Sequence, residues 1–301
     1  MEGSFPGEME LAVIHRFAIH NGSLVPSAEI RLSPFQTGLL SGWGLFSTLR
    51  IYRGVPFALE DHLARLEADA AKLRVDAEDW LRRTPALFEE LIGANGAAEA
   101  MARIYLIRNH GGLLDQPSPH PTDLLIFTAD LRDWGRSAKL RLVPAARLAE
   151  GPLAATKSLS WAHNLAWLEA AVQAGFDDAL LLNERGEIAE CTSANIFIAR
   201  GGELLTPPLS SGALAGVSRK AILEGGARAG LPVRETALFP ADLRSADEVF
   251  LSSSTREVQS VSQMDDYALP PAGPITTRVR TILTAEIERY IAQHGAIGAR
   301  A

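Results

Sequence analysis

Cysteine is almost absent: the 301-residue chain carries one, Cys191. That excludes an internal disulfide framework and fits a reducing cytoplasm. The thiol itself reads as a small buried hydrophobe. Positive charge is also short, with 29 Lys and Arg against 36 Asp and Glu and a formal net charge of -7. No basic face is left to neutralise a phosphate backbone, so nucleic acid is not expected as a partner, although local cationic pockets for small anions remain open. No run reaches the roughly 18 apolar residues of a membrane span. Met1 to Glu10 is acidic and lacks an apolar core, so no signal peptide is expected. Glycine-rich dinucleotide loops and Walker loops are missing, and the 7 histidines are scattered without metal-site spacing, so no metal is expected.

What is present is an ordinary globular composition, 47% hydrophobic and 22% charged, over a length that can bury two cores or one large one. Leu11 to Ala18 alternates like a strand, and Asn21-Gly22 turns into a second strand around Leu24. Gly42 to Tyr52 is glycine-punctuated and then strand-like, with Pro56 to Leu59 returning antiparallel. Glu60 to Leu73 places Leu63, Leu66, Ala70 and Leu73 on one helical face. Asp76 to Arg83 reads as a short helix, and Thr84-Pro85 as the N-cap and first residue of a fresh one. Ala102 to Ile107 and Asp123 to Thr128 are strands around a loop from Asn109 to Pro121 of the kind that carries function.

Further on, Lys139 to Ala145 is a strand, and Ser160 reads as the N-cap of a helix ending at Gly175. A meander follows through Ala179 to Leu182, Glu187 to Glu190, Asn195 to Ala199 and Glu203 to Thr206. Val217 to Ala229 and Thr276 to His294 are helices, with strands at Val233 to Thr236, Glu248 to Ser252 and Val258 to Val261. The order implies an α+β chain: a small N-terminal domain over 1-128, a polar linker over 129-137 and a larger domain over 138-301 rich in antiparallel strands.

The chemistry concentrates between Lys157 and Ser218. Lys157 stands among Ala154-Ala155-Thr156 and Ser-Leu-Ser-Trp, too apolar a setting for a solvated flank. Partial burial would lower the pKa of its amine and free the lone pair to attack an aldehyde or shuttle a proton. Glu190 ends a half-buried strand, and a buried carboxylate needs a cation, which a pyridinium N–H would supply. Gly216-Val217-Ser218 opens a helix whose free amides suit a phosphate. Ser252-Ser253-Ser254-Thr255 offers further hydroxyls and amides, and Arg65 could clamp a phosphate with two N–H groups.

These residues resemble the fold-type IV, or class IV, pyridoxal-phosphate-dependent aminotransferases, a group that includes branched-chain aminotransferases, D-amino acid aminotransferases, aminodeoxychorismate lyases and R-selective amine transaminases. The resemblance runs from Gly42 to Val261. It is strongest in Glu-Ile-Ala-Glu-Cys-Thr-Ser-Ala-Asn-Ile-Phe-Ile (187-198), Leu-Leu-Thr-Pro-Pro-Leu (204-209) and Leu-Ala-Gly-Val-Ser-Arg (214-219). It implies pyridoxal 5'-phosphate as cofactor, with Lys157 as the Schiff-base lysine and Glu190 on the pyridine nitrogen. Leu214 would pack on the ring, and Gly216, Val217 and Ser218 would lie at the phosphate. Asp-His-Leu-Ala-Arg-Leu (61-66) matches the family's His-x-x-Arg-Leu and makes Arg65 the phosphate arginine. Ser254 and Thr255 match positions that bind phosphate and substrate carboxylate. The implied fold is a small α/β domain and a large pseudo-barrel domain with the cofactor between them at a homodimer interface, and the 109-121 loop reaching the neighbour's site.

Departures bear on substrate. Trp161 stands where branched-chain enzymes carry a cofactor-bonding tyrosine, and Ser41 and Met101 where they carry pocket tyrosines. Phe-Ser-Thr-Leu-Arg (46-50) is closer to the lyases' Phe-Thr-Thr-x-Arg than to the branched-chain Phe-Glu-Gly-x-Arg. The Arg-x-His carboxylate trap of D-amino acid enzymes is not visible after Arg108. Arg103 matches the branched-chain arginine that binds glutamate's side-chain carboxylate, at a lysine position of the lyases. The resemblance therefore implies a transaminase taking a hydrophobic L-amino acid and 2-oxoglutarate, with Arg103, Thr255, Trp161 and Ser41 at the substrate. The alternatives are an aminodeoxychorismate lyase making 4-aminobenzoate and pyruvate, or a D-amino acid or R-amine transaminase.

Overall fold

The computed structural model describes residues 12-111 and 118-295. The first residues of the chain and the middle of the 109-121 loop lie outside the described residues. Strands and helices alternate in an α+β order. The first group is β1 (Ile14–His20), β2 (Ser23–Pro26), α1 (Thr37–Ser41), β3 (Gly44–Tyr52), β4 (Val55–Pro56), α2 (Leu59–Leu73), α3 (Glu78–Asn95), β5 (Ala100–Arg108) and β6 (Thr122–Ala129). Its strands form one antiparallel sheet in the order β2-β1-β6-β5-β3-β4. Both α2 and α3 contribute to a core on this sheet, where Leu66, Phe88 and Leu91 meet Leu49, Ile104 and Leu124. The buried residues of α2 recur at helical spacing, which is what fixes the face it presents.

One helix replaces the two expected between Asp76 and Gly96. Pro85 lies inside α3, and Thr84 is no N-cap: its hydroxyl donates to the Trp80 carbonyl at 2.7 Å. Proline removes one helical bond, but Trp80, Leu87, Phe88 and Leu91 continue a single buried stripe across it, and that burial outweighs the lost bond.

The second group is β7 (Ser137–Arg147), α4 (Ala162–Gln173), β8 (Asp178–Asn183), β9 (Ile188–Cys191), β10 (Asn195–Arg200), β11 (Glu203–Thr206), α5 (Val217–Arg228), β12 (Val233–Glu235), α6 (Pro240–Arg244), β13 (Glu248–Ser253), β14 (Glu257–Met264), β15 (Tyr267–Ala268) and α7 (Pro274–His294). These strands form a curled sheet in the order β12-β11-β10-β13-β14-β7-β8-β9, with β15 on β14. Period-two alternation sorts its side chains: Ile196 and Ile198 face one core while Phe197 faces another beneath α5 and α7. Phe197 and Phe250 stack there with ring centroids 5.1 Å apart. The α4 helix starts at Ala162 without a side-chain cap. Ser160, expected to cap it, donates instead to the Gly42 carbonyl at 3.0 Å, tying the loop before α4 to the first group. No described helix is long and apolar enough to cross a membrane.

Candidate active site

Lys157 sits on the loop between β7 and α4, fixed by two backbone bonds to β3 and one bond to a side chain of α2. Phe46 N–H donates to the Lys157 carbonyl at 3.0 Å, Leu159 N–H to the Gly44 carbonyl at 2.9 Å, and Lys157 N–H to Asp69 Oδ2 at 3.1 Å. The loop thus extends the edge of β3, and the lysine follows that strand into a cleft of about 630 Å³. Its Nζ stands 4.6 Å from the centre of the Phe46 ring. Burial, then the Arg65 and Arg103 charges, push the amine down to about 7, against the opposing pull of Glu190 and Asp69. An ordinary surface lysine is almost wholly protonated at neutral pH; this one is divided between its two forms.

Arg65, on α2, occupies the same cleft. It donates through Nη1 to the Ala215 carbonyl at 3.1 Å and through Nη2 to Ser47 Oγ at 2.9 Å. Burial lowers it to about 10, so it keeps its charge near neutrality. Ser47 Oγ also lies 2.8 Å from His62 Nδ1. The hydroxyl thus bridges the guanidinium and the imidazole. Burial, Arg65 and Lys157 keep that ring well below its usual pKa, hence neutral.

Glu190, on β9, is buried at 8% exposure and uses both carboxylate oxygens. Arg147 Nη2 donates to Oε1 at 2.8 Å, and the Leu214 amide donates to Oε2 at 3.0 Å. The cation that a buried carboxylate requires is therefore Arg147, at the end of β7, which the sequence reading did not single out. Arg147 also reaches Asn164 Oδ1 at 3.3 Å, and Asn164 donates to the Thr192 carbonyl at 2.7 Å. One bond to each oxygen leaves Glu190 with free lone pairs, so a further N–H donor can be accepted.

Leu214 to Ser218 join the two ends of the cleft. The Leu214 amide meets Glu190, the Ala215 carbonyl meets Arg65, and Gly216 stands at the N-cap position of α5, where no side chain caps the helix. A Cβ on Gly216 would fall 2.0 Å from Asn195 Oδ1, which explains the glycine: Asn195 Nδ2 must approach this close to bond the Leu214 carbonyl at 3.0 Å. Val217 and Ser218 are buried and line the cleft at the start of α5. Ser254 and Thr255 line it from the turn between β13 and β14. That turn is anchored twice: Arg256 pairs with buried Asp178 at 2.5 Å, and Tyr52 OH donates to Glu257 at 2.8 Å.

Arg103, on β5, projects into the cleft, donates to Tyr105 OH at 3.0 Å and makes no ion pair among the described residues; its buried Nε has no partner. Trp161 lines the cleft with its ring edge-on to Phe46, centroids 6.1 Å apart. Ser41 is not brought in. It ends α1, exposed, and does not line the cleft of its own chain. Two lining residues of the 129-137 segment, Arg132 and Trp134, also escaped the sequence reading, because the segment is polar and without period. Among the described residues no group of three or more His, Cys, Asp or Glu side chains could hold a metal ion.

The donor set fits a phosphorylated pyridine aldehyde. A half-free amine stands between a carboxylate with spare lone pairs and a charged guanidinium beside an uncapped helix start, all lining one cleft. Comparison with known proteins agrees. The family model described as amino-transferase class IV matches residues 44-264. A Methanocaldococcus jannaschii chain assigned as a branched-chain-amino-acid aminotransferase is 30% identical over 86% of this chain and 92% of its own. The D-alanine aminotransferase of Bacillus licheniformis is 27% identical over 89% of this chain and 96% of its own. Among solved structures, the T. th. HB 8 branched-chain amino acid aminotransferase complexed with N-(5'-phosphopyridoxyl)-L-glutamate superposes with a TM-score of 0.85 at 25% identity, over 95% of this chain and 100% of that one. The chain belongs to the class IV aminotransferases, enzymes of fold type IV whose cofactor is pyridoxal 5'-phosphate.

Proposed function

We propose that this aminotransferase moves an amino group between a hydrophobic, branched-chain-like L-amino acid and 2-oxoglutarate. The observation that carries the reading is Arg103: a guanidinium facing the cleft with no carboxylate of its own, beside the apolar walls of Phe46, Leu148, Leu153 and Trp161. Such a cleft can take an apolar side chain in one half-reaction and a second carboxylate in the other. The phosphopyridoxyl-glutamate held by the solved relative supports the same choice of acceptor.

Arg65, the amides of Val217 and Ser218 and the Ser218 hydroxyl would hold the cofactor's phosphate, with Gly216 leaving room and Ser254 adding a hydroxyl. Glu190 would hold the ring nitrogen and Leu214 one ring face. Pyridoxal phosphate, when bound, supplies an aldehyde for amines and a ring that accepts the electrons freed at a substrate's α-carbon. Lys157 is the amine for that aldehyde and, once displaced by substrate, the base that takes the α-proton and returns one. Its pKa of about 7 suits both duties. The Thr255 turn would orient the α-carboxylate, and Phe46 and Trp161 limit water around Nζ.

The same reading includes a homodimer, a cytoplasmic location and division into domains at 129-137. Supporting the dimer, Phe35, Leu39, Leu40 and Leu165 are exposed at 61%, 56%, 55% and 43%. Ser41, which follows Leu39 and Leu40 in α1, would serve across such an interface. A second reading, aminodeoxychorismate lyase, rests on Phe-Ser-Thr-Leu-Arg (46-50), whose Ser47 bonds Arg65. A third, D-amino acid or R-amine transamination, is kept in view by the Bacillus licheniformis relative's name. The test is a donor panel of both enantiomers read by the absorbance of the bound cofactor. L-Leucine and L-glutamate should discharge it; a response to D-amino acids or R-amines alone, or pyruvate release from aminodeoxychorismate, would replace this reading.

A further inference from the structure

Arg132 lies in the segment joining the two groups of strands, and its side chain faces the cleft. Its guanidinium carbon stands 4.5 Å from the centre of the Trp134 ring, and that of Arg256 stands 4.0 Å from the same ring. Arg256 directly follows Thr255 and is itself locked by Asp178 at 2.5 Å and Ser193 at 2.8 Å. Trp134 thus contacts both guanidiniums, its carbonyl accepts from Gln259, and Arg132 lines the same cleft as Ser254 and Thr255, the turn residues next to Arg256.

The two guanidiniums differ in what they already satisfy. Arg256 is spent on Asp178 and its neighbours. Arg132 makes no hydrogen bond and no ion pair among the described residues. Asp177 and Asp178 act on it only through space: Asp177 accepts from the Lys139 amide at 2.7 Å, and Asp178 accepts from Arg256, Thr192 and the Ala179 amide. A half-buried guanidinium stacked on an indole, with its N–H groups free beside neutral amides and hydroxyls, is a carboxylate receptor with one component missing.

We infer that Arg132 is the cation that binds the substrate's α-carboxylate, holding it against the Ser254–Thr255 turn while Trp134 presets the guanidinium. The inference rests on the proposed amino acid substrate and deepens it. Arg103, on the first sheet, is left for a distal carboxylate, and Arg132 makes the site select amino acids over the corresponding amines. Recognition by neutral amides alone would supply no such charge preference. A charge-assisted pair of this kind, formed in a partly desolvated cleft, changes affinity by roughly 10- to 100-fold.

The experiment uses the cofactor-loaded enzyme and its R132Q and R132K variants. 4-Methylvalerate, a carboxylate without an amino group, is titrated by calorimetry, and in parallel the L-leucine half-reaction is followed with 3-methylbutylamine as the matched amine. R132Q should weaken 4-methylvalerate at least tenfold, raise the L-leucine KM more than it lowers kcat, and shrink the preference for L-leucine over the amine. R132K should recover part of each effect. Equal binding of 4-methylvalerate to enzyme and R132Q, or no binding to either, overturns the role of Arg132 even if L-leucine is transaminated. Arg132-dependent binding with no transamination of any L-amino acid upholds Arg132 and instead sinks the proposed function.

Discussion

Replacing Arg147 with methionine removes the one guanidinium that Glu190 holds, while keeping a chain of similar reach. The pair is 2.8 Å apart, with side-chain exposures of 18% and 11%, and among the described residues the carboxylate's one other partner is the Leu214 amide. Stripping one member from so enclosed a pair leaves a charge without a counter-ion, a loss of about 3 kcal/mol. For a chain of this size that is about 5 °C in the melting temperature of the apoprotein. If Glu190 also faces the cofactor's protonated ring, pyridoxal phosphate restores a cation to it, so R147M should gain more melting temperature from the cofactor than the parent does. The E190Q/R147M double variant should lose less than the two single losses added, since the neutral amide no longer needs a cation. Scanning calorimetry of the four proteins, each with and without cofactor, reads all of this. An equal cofactor gain in R147M and parent, with additive losses in the double variant, would refute the placement of Glu190 against the ring.

Three further outcomes follow from the same geometry. The Lys157 amine at about 7 rather than the usual 10.5 means that apoprotein should take up pyridoxal phosphate with a rate rising through neutrality, and a midpoint above pH 9 would contradict it. The sign for stability is fixed as well: the folded state binds this proton more weakly than the unfolded chain, so this group's contribution grows as pH rises from about 7 towards 10.5 and is absent below. Ser47→Ala removes the hydroxyl between Arg65 and neutral His62, a loss of about 1 kcal/mol of orientation, so the cofactor's Kd should rise roughly fivefold. Unchanged affinity would mean that Arg65 is held without it. Gly216→Ala drives a methyl into Asn195 and must shift the start of α5, so cofactor affinity measured by fluorescence quenching should fall by more than the Ser47 variant's, while full affinity would show that the helix start does not hold the phosphate.

The central strands of the second sheet were legible as short apolar runs between turn residues: Ile196, Phe197 and Ile198 are all buried, alternate ones facing different cores. The helix break at Thr84-Pro85 was misread because that dipeptide starts helices on the surface, whereas here a buried stripe runs across it and the threonine hydroxyl is diverted to a carbonyl. Glu190 and Lys157 could be picked out by the apolar company a charged residue keeps. Arg147 could be anticipated only as an unnamed cation, since its contact with Glu190 joins strands 43 residues apart in sequence. Arg132 and Trp134 carry no local pattern at all; what gives them meaning is the stack on Arg256, which pairs with Asp178 78 residues away. Ser41 shows the opposite case, a position suggested by likeness whose side chain is exposed outside its own cleft.

The chain has four lysines, Lys72, Lys139, Lys157 and Lys220, and only Lys157 is held in a cleft with its amine pushed towards neutrality. Borohydride reduction of the cofactor-loaded enzyme, followed by peptide mass mapping, therefore tests the account at its centre. The pyridoxyl group should be found on Lys157 alone and vanish in K157A. Its appearance on Lys72, Lys139 or Lys220, or its persistence in K157A, would contradict the site described here.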